Sequence, residues 1–254
     1  MNESTPLLRL AYSAILCIFC IRAQNPAPGP DMPKPKTSTM EAPQTQTERS
    51  SVQPREERKI VNPDGSFITG DRYANPFFGF TIDFPHGWMV HSNIIAKKMM
   101  EENGRKIAAG NPELEAEERK PDASAPLLAV SEPIAYKNNS TGRTWKILAS
   151  DVGGEKEPIT AENYEKALVA LVKEGKMPFE LVSEPELVTI NGNRMAKLYL
   201  KMKFEDATYH AIMWALPFRE YVVQFIATSP EVDGLADLEP VIQSLHSGLT
   251  GLRP

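Results

Sequence analysis

Cysteine is almost absent from this sequence. Among 254 residues only Cys17 and Cys20 are cysteines, and both lie within an apolar run near the amino terminus. A lipoprotein signal needs a small residue directly before the cysteine that becomes lipidated, whereas Leu16 and Phe19 occupy those positions. Beyond residue 23 the absence of cysteine excludes disulfide bonds, zinc–thiolate sites and a cysteine nucleophile. The folded part must therefore be stabilised by side-chain packing.

An excess of basic residues is also absent. The chain has 28 Lys and Arg against 33 Asp and Glu, which gives a formal net charge of -5. Binding to nucleic acid depends on clustered Lys and Arg that neutralise phosphates. The charge balance therefore argues against nucleic acid as a partner.

The apolar run at the amino terminus is too short for a bilayer-spanning helix. It extends from Leu10 to Ile21, about a dozen residues, whereas a spanning helix needs about 20. Arg9 precedes the run and Ala23 follows it, as in a secretory signal peptide. We predict that residues 1–23 are removed and that the protein is exported to the periplasm or the extracellular space. Retention of this segment as an anchor is the alternative, and only then would a membrane be a partner.

Proline is abundant in residues 24–58, where apolar residues are scarce. Such a segment cannot bury enough apolar surface to offset the entropy of ordering, so we predict a disordered, extended linker. A docking role for its proline-rich part is the alternative. The prolines are Pro26, Pro28, Pro30, Pro33, Pro35, Pro43 and Pro54.

Alternation of apolar and polar residues predicts a series of strands in a domain at 59–254, with order beginning near Tyr73. Asn191-Gly192 is a strong signal for a two-residue hairpin. Pro217 is expected in the bend between two strands because it cannot donate a ladder hydrogen bond. The predicted strands are 77–84, with Phe78, Phe80, Ile82 and Phe84 on one face, and 88–90, 127–132, 144–151, 186–190, 195–204, 208–216 and 221–227.

Three helices are predicted from capping residues and apolar stripes. Ser92 would cap a helix to about Ala109 with Ile95, Met99 and Met100 as candidates to face inward, and Thr160 would cap one that ends at Gly175. Ser229 would cap a last helix that includes His246 near its end. The residues expected to face inward in that last helix are Leu235, Leu238, Ile242 and Leu245.

Consecutive antiparallel strands with helices before and after them indicate an α+β fold, an antiparallel sheet covered by helices. The stretch 91–125 is predicted as a charged helical insertion, in which 110–123 is a mobile loop or a frayed extension of the helix. Its acidic run 113–118 is typical of a solvated face, with an acidic partner-binding surface or a weak calcium surface as the alternative.

Five segments occur in an order that is typical of one family. They are Phe84-Pro85-His86-Gly87-Trp88, Ile159-Thr160-Ala161-Glu162-Asn163-Tyr164, Val188-Thr189-Ile190-Asn191-Gly192, the strand from Tyr221 to Ala227, and Ser244-Leu245-His246. The pattern resembles the Mog1/PsbP-like family over about 73–246. That resemblance implies an α-β-α sandwich that usually lacks enzymatic activity and serves as a binding or assembly module. It offers no shared catalytic residues, and the insertion at 91–125 exceeds the family's usual link.

Motifs of catalysis and metal binding are missing from the sequence. There is no His-Glu-x-x-His motif, no Gly-x-Ser-x-Gly elbow and no phosphate-binding glycine loop. We therefore predict no catalytic residue, no metal site and no cofactor, and a non-enzymatic protein. His86 and His91 could share a site with Asp83, although histidines in turns and caps are more often solvated. A hydrolase with dispersed catalytic residues is a further alternative.

The best candidates for ligand binding surround Trp88. Most aromatic residues alternate within strands, as expected for a buried sheet face. Trp88 instead follows a turn, so with its neighbours Met89 and His91 it could border a small groove, and His86 is a further candidate for ligand binding. The sequence thus leaves two binding functions open. The first is a module that binds a protein partner through a sheet face or the insertion, and the second is a carrier of a small ligand near Trp88.

Overall fold

The structure is a computed structural model. It describes residues 60–61, 65–110, 112, 115–116, 124–133, 142–152, 159–175, 179–204 and 207–248. The predicted signal peptide and linker lie outside the described residues, as does most of the acidic run in the insertion.

The described strands form two antiparallel sheets. The five-stranded sheet, with order β1-β2-β3-β4-β13, consists of β1 (Ile60–Val61), β2 (Phe67–Thr69), β3 (Arg72–Asn75), β4 (Phe80–Asp83) and β13 (His246–Ser247). The eight-stranded main sheet consists of β5 (Met89–His91), β6 (Ser124–Ser131), β7 (Thr144–Asp151), β8 (Phe179–Leu181), β9 (Glu186–Ile190), β10 (Asn193–Phe204), β11 (Ala207–Phe218) and β12 (Tyr221–Ser229). Its order is β5-β6-β7-β12-β11-β10, and β8 and β9 both pair with the outer side of β10.

The main sheet is covered on both faces. Helices α1 (Asn93–Ala108) and α2 (Ala161–Lys173) pack on one face. The small sheet and two short helices, α3 (Asp233–Ala236) and α4 (Glu239–Gln243), pack on the other. The α+β fold with a helix-covered antiparallel sheet is thus confirmed, and the second covering layer is part sheet and part helix.

Burial on both faces explains the composition of the central strands. In β7 every residue from Thr144 to Ser150 is buried, and in β12 every residue from Val222 to Ser229. Each strand therefore has apolar side chains on both faces, whereas a strand with one solvated face would alternate. Towards the small sheet, the rings of Trp145 and Trp214 lie 5.5 Å apart between centroids. Large aromatic side chains thus fill the space between the two sheets.

Helix α2 begins and ends as its sequence predicts. Thr160 and Asn163 form a reciprocal capping box, in which the Thr160 backbone N–H donates to the Asn163 side chain at 2.6 Å. Such a box satisfies two backbone donors at the helix start. Tyr164 and Leu168 are buried against the sheet, and Gly175 adopts φ +69° just after the helix.

The hairpin predicted at Asn191-Gly192 is confirmed. Asn191 and Gly192 have φ values of 47° and 84°, the left-handed conformation of a type I′ turn between β9 and β10. The Asn191 side chain also donates hydrogen bonds to the carbonyl oxygens of Gln243 at 2.9 Å and Leu245 at 2.8 Å. The turn therefore holds the segment that leads from α4 into β13.

Ion pairs from two basic residues connect the layers. Arg143, just before β7, contacts Glu132 at 2.9 Å and, in the other layer, Asp237 after α3 at 2.6 Å. Lys197 of β10, whose side chain is nearly buried, pairs with Glu239 of α4. Both pairs fix the short C-terminal helices against the main sheet.

The C-terminal part differs from the prediction of one helix. Ser229 ends β12 and caps no helix, and Pro240 at the start of α4 separates α3 from α4. In a continuous helix the Pro240 ring would clash with the carbonyl group of Ala236, the last residue of α3. His246 accordingly lies in β13, where it pairs with Thr81. The residues predicted to face inward, Leu235, Leu238, Ile242 and Leu245, are all buried.

Strand bounds also differ from the sequence prediction elsewhere, and the short strand β8 is not among the predicted strands. Strands β1 and β2 precede the expected start near Tyr73. Strand β4 is shorter than predicted because residues 76–79 form a turn, although the predicted face of Phe78, Phe80, Ile82 and Phe84 is buried. Pro217 lies inside β11, opposite Val222. It is tolerated because its side of β11 faces β10, and that pairing ends at Ala215.

Among the described residues, no helix combines the length and the apolar character that crossing a membrane requires.

The contacts of Asn191 can be tested by replacing it with aspartate. Aspartate tolerates the left-handed conformation, but it removes the amide donor and sets a carboxylate against two carbonyl oxygens. We expect N191D to lower the free energy of unfolding by about 2 kcal/mol at neutral pH, the sum of two ordinary hydrogen bonds. Urea denaturation of the two proteins measures this difference. Equal stability would show that these hydrogen bonds do not hold the C-terminal segment.

Candidate functional site

His86 lies in the turn between β4 and β5, with an exposed side chain. Its Nδ1 is 2.6 Å from Oδ2 of Asp71, in the turn between β2 and β3. Asp83, considered above as its partner, instead pairs with Arg72 at 2.6 Å, and this guanidinium lowers the pKa of the Asp83 carboxyl. His86 therefore links two neighbouring turns of the small sheet.

Trp88 and His91 point to opposite faces of the main sheet. Trp88 and Val90 pack, half-buried, against the core between the two sheets. Because successive residues of a strand alternate, Met89 and His91 point to the side of α1. The structure therefore does not bring Trp88, His86 and His91 together around one groove.

His91 borders a buried polar cluster beneath α1. Its Nε2 lies 2.9 Å from Oγ of Ser131, and the imidazole is half-buried. Lys146, which is 2% exposed, stands next to Ala129, the cross-strand neighbour of His91. Burial first, and then the positive charge of Lys146, lower the pKa of His91. The imidazole is therefore neutral near pH 7.

The chemistry of this polar cluster is limited. A serine next to a histidine is part of the arrangement in serine hydrolases, but there the histidine is oriented by a third group. Ser131 is buried at 3% exposure, and among the described residues no hydrogen bond orients Nδ1 of His91. Within the described chain no group of His, Cys, Asp and Glu could hold a metal ion. Within this cluster the Ser131 hydroxyl is therefore shielded from solvent.

Helix α1 is positioned by its small residues. Ser92 caps the helix, as predicted, by accepting a hydrogen bond from the N–H of Ile95 at 3.3 Å. The buried face repeats every four residues, with Ala96, Met100, Gly104 and Ala108. Three of these four residues are small, which lets the helix lie close to β6.

Ile95 was expected to face inward and is instead exposed. The buried face lies along Ala96 and Met100, and neighbouring helix residues differ by about 100° in direction. Ile94 and Ile95 therefore point towards solvent, at 83% and 50% exposure. Packing of this face on β6, and not the apolar character of Ile95, therefore decides which residues of α1 face inward.

Met89, Ile94 and Ile95 are exposed apolar residues within seven consecutive positions, 89–95, and are here named the insertion patch. Met89 is 49% exposed and lies on β5, only a few residues before α1. The sequence prediction did not single out Ile94, because an apolar residue in an amphipathic element is normally assigned to the core. It placed Met89 at the rim of a groove beside Trp88. The solvent-exposed charged residues of α1 are Lys97, Lys98, Glu101, Arg105 and Lys106.

Comparison with known proteins gives matches among solved structures alone. No protein-family model matches the chain, and no curated protein matches its sequence. The chain is similar to a cyanobacterial PsbP from Synechocystis, with 14% identity over 70% of this chain and 91% of that chain and a TM-score of 0.43.

Two other solved structures are similar to the chain. One is from Bacteroides thetaiotaomicron, with 14% identity over 79% of this chain and 52% of that chain and a TM-score of 0.41. The other is LpqN of Mycobacterium tuberculosis, which is involved in cell envelope biogenesis, with 16% identity over 48% of this chain and 76% of that chain and a TM-score of 0.36. These similarities concern the fold, and none transfers a function to this chain.

The buried position of His91 predicts sensitivity to mild acid. Because its pKa is lowered from 6.5 in the folded state, the folded protein binds fewer protons than the unfolded chain. The stability contributed by neutral His91 is complete above pH 6.5 and is lost as the pH falls through the folded-state pKa. We expect H91Q to lose less thermal stability than the wild type between about pH 7.5 and pH 5.5. Melting curves at both pH values measure this difference.

Carboxylates should not obscure this comparison. Arg72 and Arg143 lower the pKa values of Asp83 and Glu132, so these two groups titrate below the window used for His91. If H91Q and the wild type lost the same stability on acidification, burial would not control the protonation of His91.

Proposed function

We propose that this protein is a non-enzymatic, exported module that binds a protein partner through the insertion patch. The observation that carries the proposal is the exposure of Met89, Ile94 and Ile95 within the seven residues 89–95. Single exposed apolar residues are normal on a protein surface, whereas adjacent ones are typical of an interaction site. Export rests on the signal peptide predicted at residues 1–23.

The surroundings of the patch indicate what a partner must offer. On α1 four basic residues are exposed beside Glu101 and the partly exposed Glu102, so the exposed helix has a net positive charge although the chain is acidic. Complementary charges orient the encounter of two proteins, while apolar contacts contribute most of the affinity. The patch therefore suits a partner with an apolar centre and carboxylates at its rim. The basic residues are Lys97, Lys98, Arg105 and Lys106.

The elements beneath the patch hold it in a defined shape. Strand β5 pairs with β6 from Met89 to His91, and the small residues of α1 pack the helix closely against the same sheet. A surface that is ordered before binding loses little conformational entropy when a partner arrives. This rigidity supports recognition of a folded partner through shape.

The small-ligand carrier near Trp88 is less well supported. Trp88 packs half-buried against the core, and His86 and His91 have separate polar partners. The insertion patch is therefore better supported as a binding site than the surroundings of Trp88.

Site-specific crosslinking tests the proposal in the organism that makes the protein. A photoreactive phenylalanine analogue replaces Ile94 in the full-length chain, and the matched control carries it at Val232, which is 59% exposed and lies before α3. We expect one crosslinked protein from position 94 and none from position 232. In the I94S/I95S chain a crosslinker at Met89 should lose the same adduct.

The opposite results have clear meanings. If position 94 gave no adduct, or gave the adducts of position 232, the patch would not be a partner-binding surface. Unfolding curves of I94S/I95S serve as the folding control, and because both side chains are exposed we expect a change of less than about 0.5 kcal/mol.

A further inference from the structure

A second surface lies at the opposite edge of the main sheet, on strand β9. The sheet order places β5 at one edge, whereas β8 and β9 lie on the outer side of β10 at the other. Among the described residues no strand pairs with the outer side of β9. The outer side of β9 is therefore an open edge of the sheet among the described strands.

The hairpin fixes which backbone groups of β9 point outward. Ile190 and Asn193 flank the two-residue turn, and in such a hairpin the flanking pair exchanges both backbone hydrogen bonds. Alternation then directs the backbone groups of Val188 towards β10. The N–H and C=O groups of Leu187 and Thr189 consequently point away from the sheet, to the side where no described strand pairs with β9.

The two edges of the main sheet differ in how they are protected. Strand β5 has only three residues, and β6 beside it contains Pro126 and a register shift. Proline and bulges are common devices that prevent strand addition at an edge. Strand β9 has five residues and neither proline nor lysine, although Pro185 precedes it. Its central residues Leu187-Val188-Thr189 favour an extended backbone.

The side chains along this edge are apolar and acidic. Leu187 is 40% exposed and Val182, next to β8, is 58% exposed. Glu180, Glu184 and Glu186 are exposed along the same edge. Lys201 lies 3.9 Å from Glu180, whereas the structure shows no ion pair of Glu184 or Glu186 within the part of the chain that it describes. The edge therefore carries a negative charge beside its apolar side chains.

We propose that β9 binds an extended, basic segment of a partner protein as an added strand. Main-chain hydrogen bonds to Leu187 and Thr189 would hold the backbone of the segment, as in other cases of strand addition. Its lysine or arginine side chains would pair with Glu184 and Glu186, and its apolar side chains would contact Leu187. This surface is separate from the insertion patch, so the protein would bridge two partners from opposite edges of one sheet.

Charge decides between this partner and a second copy of the chain. Two copies joined through β9 would bring together two sets of carboxylates from Glu180, Glu184 and Glu186. Like charges at an interface oppose association, whereas a basic strand neutralises them. The edge therefore favours a basic partner over self-association.

The variant T189P tests the proposal with little change to the fold. The N–H group of Thr189 points outward, so proline removes no hydrogen bond to β10 and is tolerated at an edge. The probe is a short fluorescent peptide of alternating valine and lysine, titrated into the full chain. We expect T189P to weaken binding about tenfold or more, because an outward donor is lost and the ring obstructs the added strand. T189A keeps the N–H group and should bind as the wild type does.

A charge variant supports the test if T189P does not fold. E184K/E186K should no longer bind the valine–lysine peptide and should bind a valine–glutamate peptide instead, because the charge of the edge is reversed. In the wild-type complex, hydrogen exchange at the amides of Leu187 and Thr189 should be slowed.

Failure of the wild type to bind the basic peptide, or equal binding by T189P and T189A, would overturn the proposal. A dimer in sedimentation that T189P converts to a monomer would assign the edge to a second copy, which also overturns it.

Discussion

The rest of the structure depends on a main sheet that is apolar on both faces. Strands β7 and β12 are buried along nearly their whole length, so neither face can remain in water. Burial of apolar surface is the dominant favourable contribution to folding, and each face therefore needs a covering layer. Helices α1 and α2 cover one face, and the small sheet with α3 and α4 covers the other. The N-terminal and C-terminal segments meet in that second layer, where β13 pairs with β4.

The same constraint explains where the exposed surfaces lie. Covering layers protect the faces of a sheet but leave its two edges, and the edges differ here. At β5 the chain turns into α1, whose buried face of small residues brings the helix close to β6 and leaves Ile94 and Ile95 in solvent. At β9 the chain simply turns back through Asn191-Gly192 into β10. Both proposed binding surfaces are therefore consequences of how the sheet ends.

Much of the fold could be predicted because its signals are local. The capping box at Thr160, the type I′ hairpin at Asn191 and the strand Thr144–Asp151 depend on residues close together in sequence. The candidate site could not be predicted in this way. Trp88 and His91 are close in sequence, yet strand alternation sends them to opposite faces. The partner of His86, Asp71, lies in a different turn that only the pairing of β3 with β4 brings near.

The sequence by itself determined the class of fold, most strands of the main sheet and the first two helices, and it supplied the predictions of a signal peptide and a linker, because composition and periodicity are properties of short segments. Tertiary structure alone decided which apolar residues remain outside. Ile95 has the same side chain as many core residues, but its exposure depends on which face of α1 packs on β6. Likewise, Pro240 ends a helix locally, whereas the position of the C-terminal segment depends on the distant side chain of Asn191. Contacts between residues far apart in the chain set these features, and no local pattern encodes them.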